Sequence, residues 1–364
     1  MAVTESAVRE ALQVVQDPDL HRDIVKLGFV QDVEINGPEV SFRLVLTTPA
    51  CPAREDLERQ CREALLALPG IDSVHIEVTA QVRKRDTAPE DLIPGVRQCL
   101  AIASGKGGVG KSTVAVNVAV ALAQAGSRVG LLDADVYGPS APQLMGLTGE
   151  RPLTASGKIV PLERYGVKTM SLGFLLEEGQ AVLWRGPMVA GTVRQLLGDV
   201  QWGDLDYLIV DLPPGTGDAP MSLAQLVPLT GVVVVSTPHT LAATIAGKAT
   251  ALFDRLETPV MGVIENMGEW RCPQCGTGGR LFSGIPGEAL AETLGVPYLG
   301  SIPFDPATGA GEEVGTPILV GAASSPAAIA FREVASALAA QVSIAAHRAK
   351  ADAPTWTPVE QESR

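Results

Sequence analysis

The sequence predicts an α/β protein: a mainly parallel sheet covered by helices on both faces, preceded by a small α+β domain. Three observations carry that reading. From Gly95 onward, short apolar strands alternate with helical stretches. Those strands are unbroken apolar runs, such as GVVVVS at Gly231–Ser236, as expected where both sheet faces are covered. Residues 1 to about 85 carry a different pattern, set off by the charged, proline-bearing stretch RKRDTAPEDLIP from Arg83 to Pro94.

Taken in order, the first domain (1–85) has helical spacing over Ala7–Val15 and strand patterns over Phe29–Ile35 and Val40–Leu46. A helix over Arg54–Leu68 and an alternating strand over Val74–Val78 follow. Residues 86–94 are expected to be a linker. The second domain (95–346) opens with a buried strand, Cys99–Ala103, a glycine-rich loop, and an almost wholly apolar helix, Ser112–Ala125, stopped by Gly126. Further strands are expected at Val129–Asp133, Tyr207–Asp211, Gly231–Ser236 and Val260–Glu265, and a last helix at about Pro326–Ala346. Residues 347–364 lack periodicity and are expected to be a disordered tail.

The 364 residues are 46% hydrophobic but only 4% aromatic, so Ala, Val and Leu must build the core. A net charge of −13 argues against nucleic acid or an anionic membrane as the main partner. No N-terminal leader pattern and no apolar run near the roughly 18 residues of a bilayer span stand in the sequence. The expectation is a soluble, cytoplasmic protein. Five cysteines (Cys51, Cys61, Cys99, Cys272, Cys275) are then free thiols, metal ligands or redox groups rather than structural disulfides.

The loop Gly105–Ser112 reads GKGGVGKS, matching G-x-x-x-x-G-K-[ST] between a strand and a helix. Glycines let successive backbone N–H groups turn toward phosphate oxygens, and the helix N-terminus adds partial positive charge. This makes the second domain a P-loop NTPase with ATP as the expected ligand. Gly105, Lys106, Gly107, Gly108, Val109 and Gly110 would line the phosphates, with Lys111 reaching the β- and γ-phosphates. The Ser112 hydroxyl would bind Mg²⁺ and Thr113 the α-phosphate. LIVDLPPGTGD puts Asp211 at a strand end, where its carboxylate can hold the hydration shell of Mg²⁺. LLDADVYGPS puts Asp133 and Asp135 at another strand end. Asp135 is the candidate for orienting water or sensing the γ-phosphate, and Asp133 either shares that work or makes a structural hydrogen bond.

Lys106, five residues before Lys111, is a second lysine in the loop. It resembles that of the deviant Walker A group, which includes the MinD, ParA and nitrogenase-iron proteins. The resemblance implies a lysine reaching the partner's ATP across a dimer, with ATP as a dimerisation switch; the alternative is a solvated lysine acting in cis.

Cys272 and Cys275 form a C-x₂-C pair in a Pro- and Gly-bearing turn, spacing that lets two thiolates face one metal. A cluster or zinc shared by a twofold dimer, a redox pair, and plain surface thiols all fit the spacing.

Together, GKGGVGKST (105–113), DADVYGPS (133–140), WRGPM (184–188), DLPPGTGD (211–218), IENMGEWRCPQCG (264–276) and LGSIPFD (299–305) resemble the Mrp/ApbC family of iron–sulfur cluster carriers. DPDL (17–20), LGFV (27–30) and TTPACP (47–52) resemble the small iron–sulfur assembly domain fused in front of such carriers. The resemblance implies slow ATP hydrolysis and a [4Fe–4S] cluster held by Cys272 and Cys275 at a homodimer interface. It also implies delivery to apo iron–sulfur proteins, alongside cluster assembly proteins. Asn266 would contact adenine or simply cap a strand end, and Cys51 would assist transfer or be a half-buried thiol. Two stretches depart from the family, TIAGK at 244–248 and GTGGRLFSGIPGE after the cysteine pair. The competing readings are a positioning ATPase of the MinD/ParA kind, which would want a basic surface or helix, and a zinc-stabilised P-loop enzyme.

Overall fold

The computed structural model describes residues 3–85, 91–136, 138–175, 186–272, 275 and 277–351. Three hydrophobic clusters organise them, one in the first domain and a large and a small one in the second.

In the first domain, helix α1 (Glu5–Leu12) starts at Thr4, whose hydroxyl accepts from Ala7 N–H, with Glu5 in the first turn. Strands β1 (Val30–Asn36) and β2 (Glu39–Leu46) form an antiparallel hairpin, and helix α2 (Arg54–Leu66) crosses to β3 (Ser73–Ala80), parallel to β2. The alternation in β2 puts Val40, Phe42, Leu44 and Leu46 on one buried face. Leu57, Cys61 and Leu65 of α2 belong to the same core.

The second domain is built on a nine-stranded sheet. In chain order its strands and main helices begin with β4 (Val96–Ser104), α3 (Lys111–Gln124) and β5 (Val129–Asp133). Next come β6 (Leu162–Arg164), β7 (Val167–Ser171), α4 (Gly186–Gly198), β8 (Leu205–Asp211), α5 (Asp218–Leu226), β9 (Gly231–Ser236) and α6 (Thr240–Arg255). The last are β10 (Val260–Arg271), β11 (Gly278–Arg280), α7 (Gly287–Leu294), β12 (Tyr298–Phe304), α8 (Pro306–Glu313) and α9 (Pro326–Ala351). The strand order is β6-β7-β5-β8-β4-β9-β10-β11, with β12 also pairing β10. Among the described residues of this sheet, only the β6–β7 and β10–β11 pairings are antiparallel. The mainly parallel sheet and its small preceding domain are as the sequence predicts. Since β4 and β8 lie side by side at the centre, the loops after them, which carry the P-loop and Asp211, open on one sheet edge.

Helix α3 has ten buried residues among its 14, which explains its lack of a polar face: it is covered by the sheet and by α9. Helix α9 is long and apolar enough to cross a bilayer by composition, but it packs on β12 and α3.

Three boundaries differ from the sequence reading. Helix α9 runs on through His347–Ala351, a segment of mostly good helix formers, so the expected tail starts later; residues 352–364 lie outside the described residues. Strand β10 continues past Glu265 to Arg271, because Glu269, Trp270 and Arg271 find antiparallel partners in Arg280, Gly279 and Gly278. Finally, the segment 91–94 of the expected linker is packed: Ile93 is buried, and a buried Arg85–Asp91 ion pair of 2.5 Å closes the connection. Residues 86–90 lie outside the described residues.

The first domain docks through its TTPACP loop. Thr48 Oγ1 meets the Tyr207 hydroxyl of β8 at 2.9 Å, Ser343 Oγ of α9 meets Thr47 Oγ1 at 2.9 Å, and Ser336 Oγ donates to Ala50 O. Ala50 and Val82 join the core of the second domain.

Candidate nucleotide and thiol site

The P-loop joins the end of β4 to the start of α3. Gly108 and Gly110 have φ of +80° and +79°, a left-handed backbone that glycine adopts without strain. A Cβ at Gly110 would also overlap the Asn266 carboxamide, and one at Gly105 would lie 2.6 Å from the Ile245 backbone. The loop is therefore shaped by close packing around it as well as by its own torsions. Asn266, buried in β10, donates from Nδ2 to Val109 O at 2.9 Å. That bond makes Asn266 a strut behind the P-loop, a role that neither reading from the sequence named.

Lys111 opens α3, is 6% exposed, and places Nζ 2.5 Å from Asp211 Oδ1 and 3.3 Å from Ser112 Oγ. The three side chains expected to serve the β/γ-phosphates and Mg²⁺ are thus brought together by residues 100 apart in sequence. The geometry fits a phosphate–Mg²⁺ cradle: a glycine-shaped loop, an ammonium, a hydroxyl and a carboxylate. Gly215 N–H donates to Ser104 O at 2.9 Å, tying the loop after Asp211 to the end of β4.

Asp133 is fully buried and structural. Its carboxylate accepts from Asp135 N–H, Ser140 N–H, Ala141 N–H and Ser171 Oγ, at 3.0 to 3.1 Å. Burial, and then the nearby Asp211, push its carboxyl above the usual range. Asp133 and Asp135 do not continue as one extended strand, since β5 ends at Asp133 and Val136 N–H turns back to Ala134 O. Asp135 accepts from Gly138 N–H at 3.3 Å and is 9% exposed. Tyr137 lies outside the described residues.

One partner was not read from sequence. The Thr113 hydroxyl, expected at the α-phosphate, donates to Glu312 Oε1 at the end of α8. Burial raises the Glu312 carboxyl above its ordinary value, and the Thr113 hydrogen bond partly offsets this. No local pattern links residues 199 positions apart.

Lys106 is half-buried, and its carbonyl accepts from Ser104 Oγ at 3.0 Å. The cysteine pair sits in the β10–β11 hairpin loop, which Cys272 N–H closes by donating to Thr277 O at 2.8 Å. Cys272 is half-buried and Cys275 exposed. Hydrogen bonds from the Thr277 side chain and backbone, and from Cys272, hold the Cys275 thiol below its ordinary value. The other three cysteines are different: burial pushes Cys51 up to about 11 and Cys61 and Cys99 up to about 12. Pro273, Gln274 and Gly276, and Trp184 and Arg185 of WRGPM, lie outside the described residues.

Comparison with known proteins bears on this arrangement. Residues 95–339 match the family described as NUBPL iron-transfer P-loop NTPase, and residues 5–78 match a family described as iron–sulfur cluster assembly protein. The chain is 45% identical to the iron–sulfur cluster carrier protein of Synechocystis sp., over 94% of this chain and 99% of that protein. It is 44% identical to that of Deinococcus radiodurans, over 97% and 99%. A solved nucleotide-binding protein of Archaeoglobus fulgidus in complex with ADP superimposes with a TM-score of 0.56 at 38% identity, over 63% of this chain and 92% of that one.

Proposed function

The chain belongs to the NUBPL iron-transfer family of P-loop NTPases, and from that premise we propose an ATP-driven carrier that holds a [4Fe–4S] cluster between two subunits and delivers it to apo-proteins. At the coarser level it is an iron–sulfur cluster carrier or assembly factor on a P-loop NTPase fold, an ATPase by family. The resemblance to cluster carriers read from the sequence is borne out.

The observation that supports the finer reading most is the path of β10. One strand braces the P-loop through Asn266 and, one residue after its end, presents Cys272. A change in the loop on binding nucleotide is thereby transmitted to the thiol hairpin through a single backbone. Each chain offers two thiols on one hairpin, Cys272 and Cys275, half of the four thiolates that a [4Fe–4S] cargo takes, and a twofold pair of chains would supply the rest.

In this reading the phosphates enter the glycine cradle, Lys111 turns from Asp211 to the β/γ-phosphates, and Asp211 and Ser112 hold Mg²⁺ and its water. Lys106 reaches the partner's nucleotide, Asp135 orients the attacking water, and Asn266 fixes the loop while meeting the adenine end. Hydrolysis is slow and paces loading or release. The setting is cytoplasmic, with apo iron–sulfur proteins and cluster assembly proteins as partners, not nucleic acid or membrane. A positioning ATPase is disfavoured by the acidic chain; α9 holds one basic residue, Arg332, over 326–346, and Arg348 and Lys350 follow only at its end.

Anaerobic reconstitution with iron and sulfide tests this. The expected product is a brown protein that passes its cluster to an apo-ferredoxin, with both colour and transfer lost in Cys272→Ala and Cys275→Ala. Stoichiometric zinc without transfer would overturn it in favour of a zinc-stabilised P-loop enzyme.

A further inference from the structure

A cavity of about 940 Å³ opens directly beside Cys272, between the hairpin that carries the thiols and the ends of β10 and β12. We propose that this cavity is the docking site for a cationic, cysteine-bearing segment of the protein that receives the cluster. The inference rests on the carrier reading and adds the chemistry of the recipient.

The cavity has an apolar floor and an acidic wall. Tyr298, Pro303, Phe304 and Pro306 line it, and Phe304 is 43% exposed, more than a core aromatic would be. Its size is at the upper end of the range for small-ligand pockets, with room for a short run of peptide. Among the described residues, four carboxylates, those of Glu265, Glu269, Glu288 and Asp305, line it against one guanidinium, that of Arg280. Two of the four already have partners: Glu265 is held by Gly287 N–H and Ser301 Oγ, and Asp305 caps α8 by accepting from Ala307 N–H. Glu269 and Glu288 are exposed at the mouth. Such a surface attracts a cation and repels the small anionic thiols of a cell. Rigid prolines and aromatic rings over an acidic rim suit an extended segment whose lysines or arginines flank its cysteines. With Cys272 on the wall, a docked segment has its thiols next to the cargo, a proximity that diffusion alone would not give.

The test needs no cluster. A fluorescein-labelled peptide Lys-Cys-Phe-Lys-Cys-Lys, and its counterpart with glutamate for lysine, are titrated by anisotropy into the full-length apo chain. One variant carries Glu269→Lys with Glu288→Lys. A control carries Glu55→Lys with Glu77→Lys, the same charge change on exposed positions of the first domain. The wild type and the control should prefer the cationic peptide at least tenfold. The cavity variant should lose that preference while melting at the same temperature and hydrolysing ATP at the same rate. Phe304→Ala should weaken the cationic peptide severalfold with the charges intact. Equal loss in the control, no loss in the cavity variant, or displacement of the peptide by equimolar glutathione would overturn the proposal. Normal iron loading with no charge preference would sink the docking site and spare the carrier reading. A charge preference without iron loading would overturn the carrier reading and, with it, a cluster recipient as the occupant.

Discussion

Lys111 Nζ and Asp211 Oδ1 lie 2.5 Å apart with side chains 6% and 2% exposed, so the P-loop lysine is neutralised by the carboxylate expected to serve Mg²⁺. A pair this buried is costly to break from one side, about 3–5 kcal/mol, since the remaining charge has no solvent. Lys111→Met should therefore lower apo stability as well as abolish MgATP turnover. The double variant Lys111→Met with Asp211→Leu should regain most of the stability and none of the turnover. Chemical denaturation of the wild type, the single and the double variant checks this; a non-destabilised single variant would contradict it.

Glu312 holds the Thr113 hydroxyl expected at the α-phosphate, so the two should compete for it. Its carboxyl is raised by burial, so the protonated form is favoured in the folded chain. That contribution to stability is full below the ordinary glutamate range and is lost as pH rises through the raised value. At alkaline pH, beyond the raised value, the ionised carboxylate would face incoming phosphate. Glu312→Gln should tighten ATP binding by about three- to tenfold there, consistent with removal of one partly screened repulsion. The gain should shrink as pH falls toward the point where Glu312 is protonated. Calorimetric titration at pH 5.5 and pH 8 reads the difference, and a pH-independent effect would rule the competition out.

The thiols should separate by reactivity. With Cys61 and Cys99 near 12, about one in ten thousand is thiolate at pH 8, while the exposed Cys275 sits below its ordinary value. Iodoacetamide followed by peptide mapping should label Cys275 first and leave Cys61 and Cys99 untouched until unfolding. Early labelling of Cys99 would show that β4 is not closed as described.

Tyr207→Phe tests the docking of the two domains. It leaves Thr48 Oγ1, 1% exposed, without the phenol hydroxyl, at a cost of about 1 kcal/mol. The loss should show as a lower melting temperature of the full chain with unchanged ATP turnover.

How much was legible follows from where each signal lies. The strand–loop–helix around Gly105–Ser112 could be read because the motif, the glycines and the apolar runs are all local. Asp211 could be placed because an apolar strand ends on it. Glu312 could not, since only the tertiary fold brings α8 to Thr113, and α8 has no buried residues to mark it. The continuation of β10 was hidden for another reason. ENMGEWR carries little apolar alternation and includes Met267 at φ +57°, so its strand character comes from pairing with β11 and β12 rather than from its own pattern. Asp133 was ambiguous in sequence because a strand-end carboxylate serves donors and metals alike; its four donors settle it as structural.

Native mass spectrometry of the anaerobically reconstituted protein tests the shared cluster most directly. One species of two chains with a single [4Fe–4S] unit is expected, reverting to cluster-free protein when Cys272 and Cys275 are both serine. A cluster or zinc bound stoichiometrically to a single chain would contradict it.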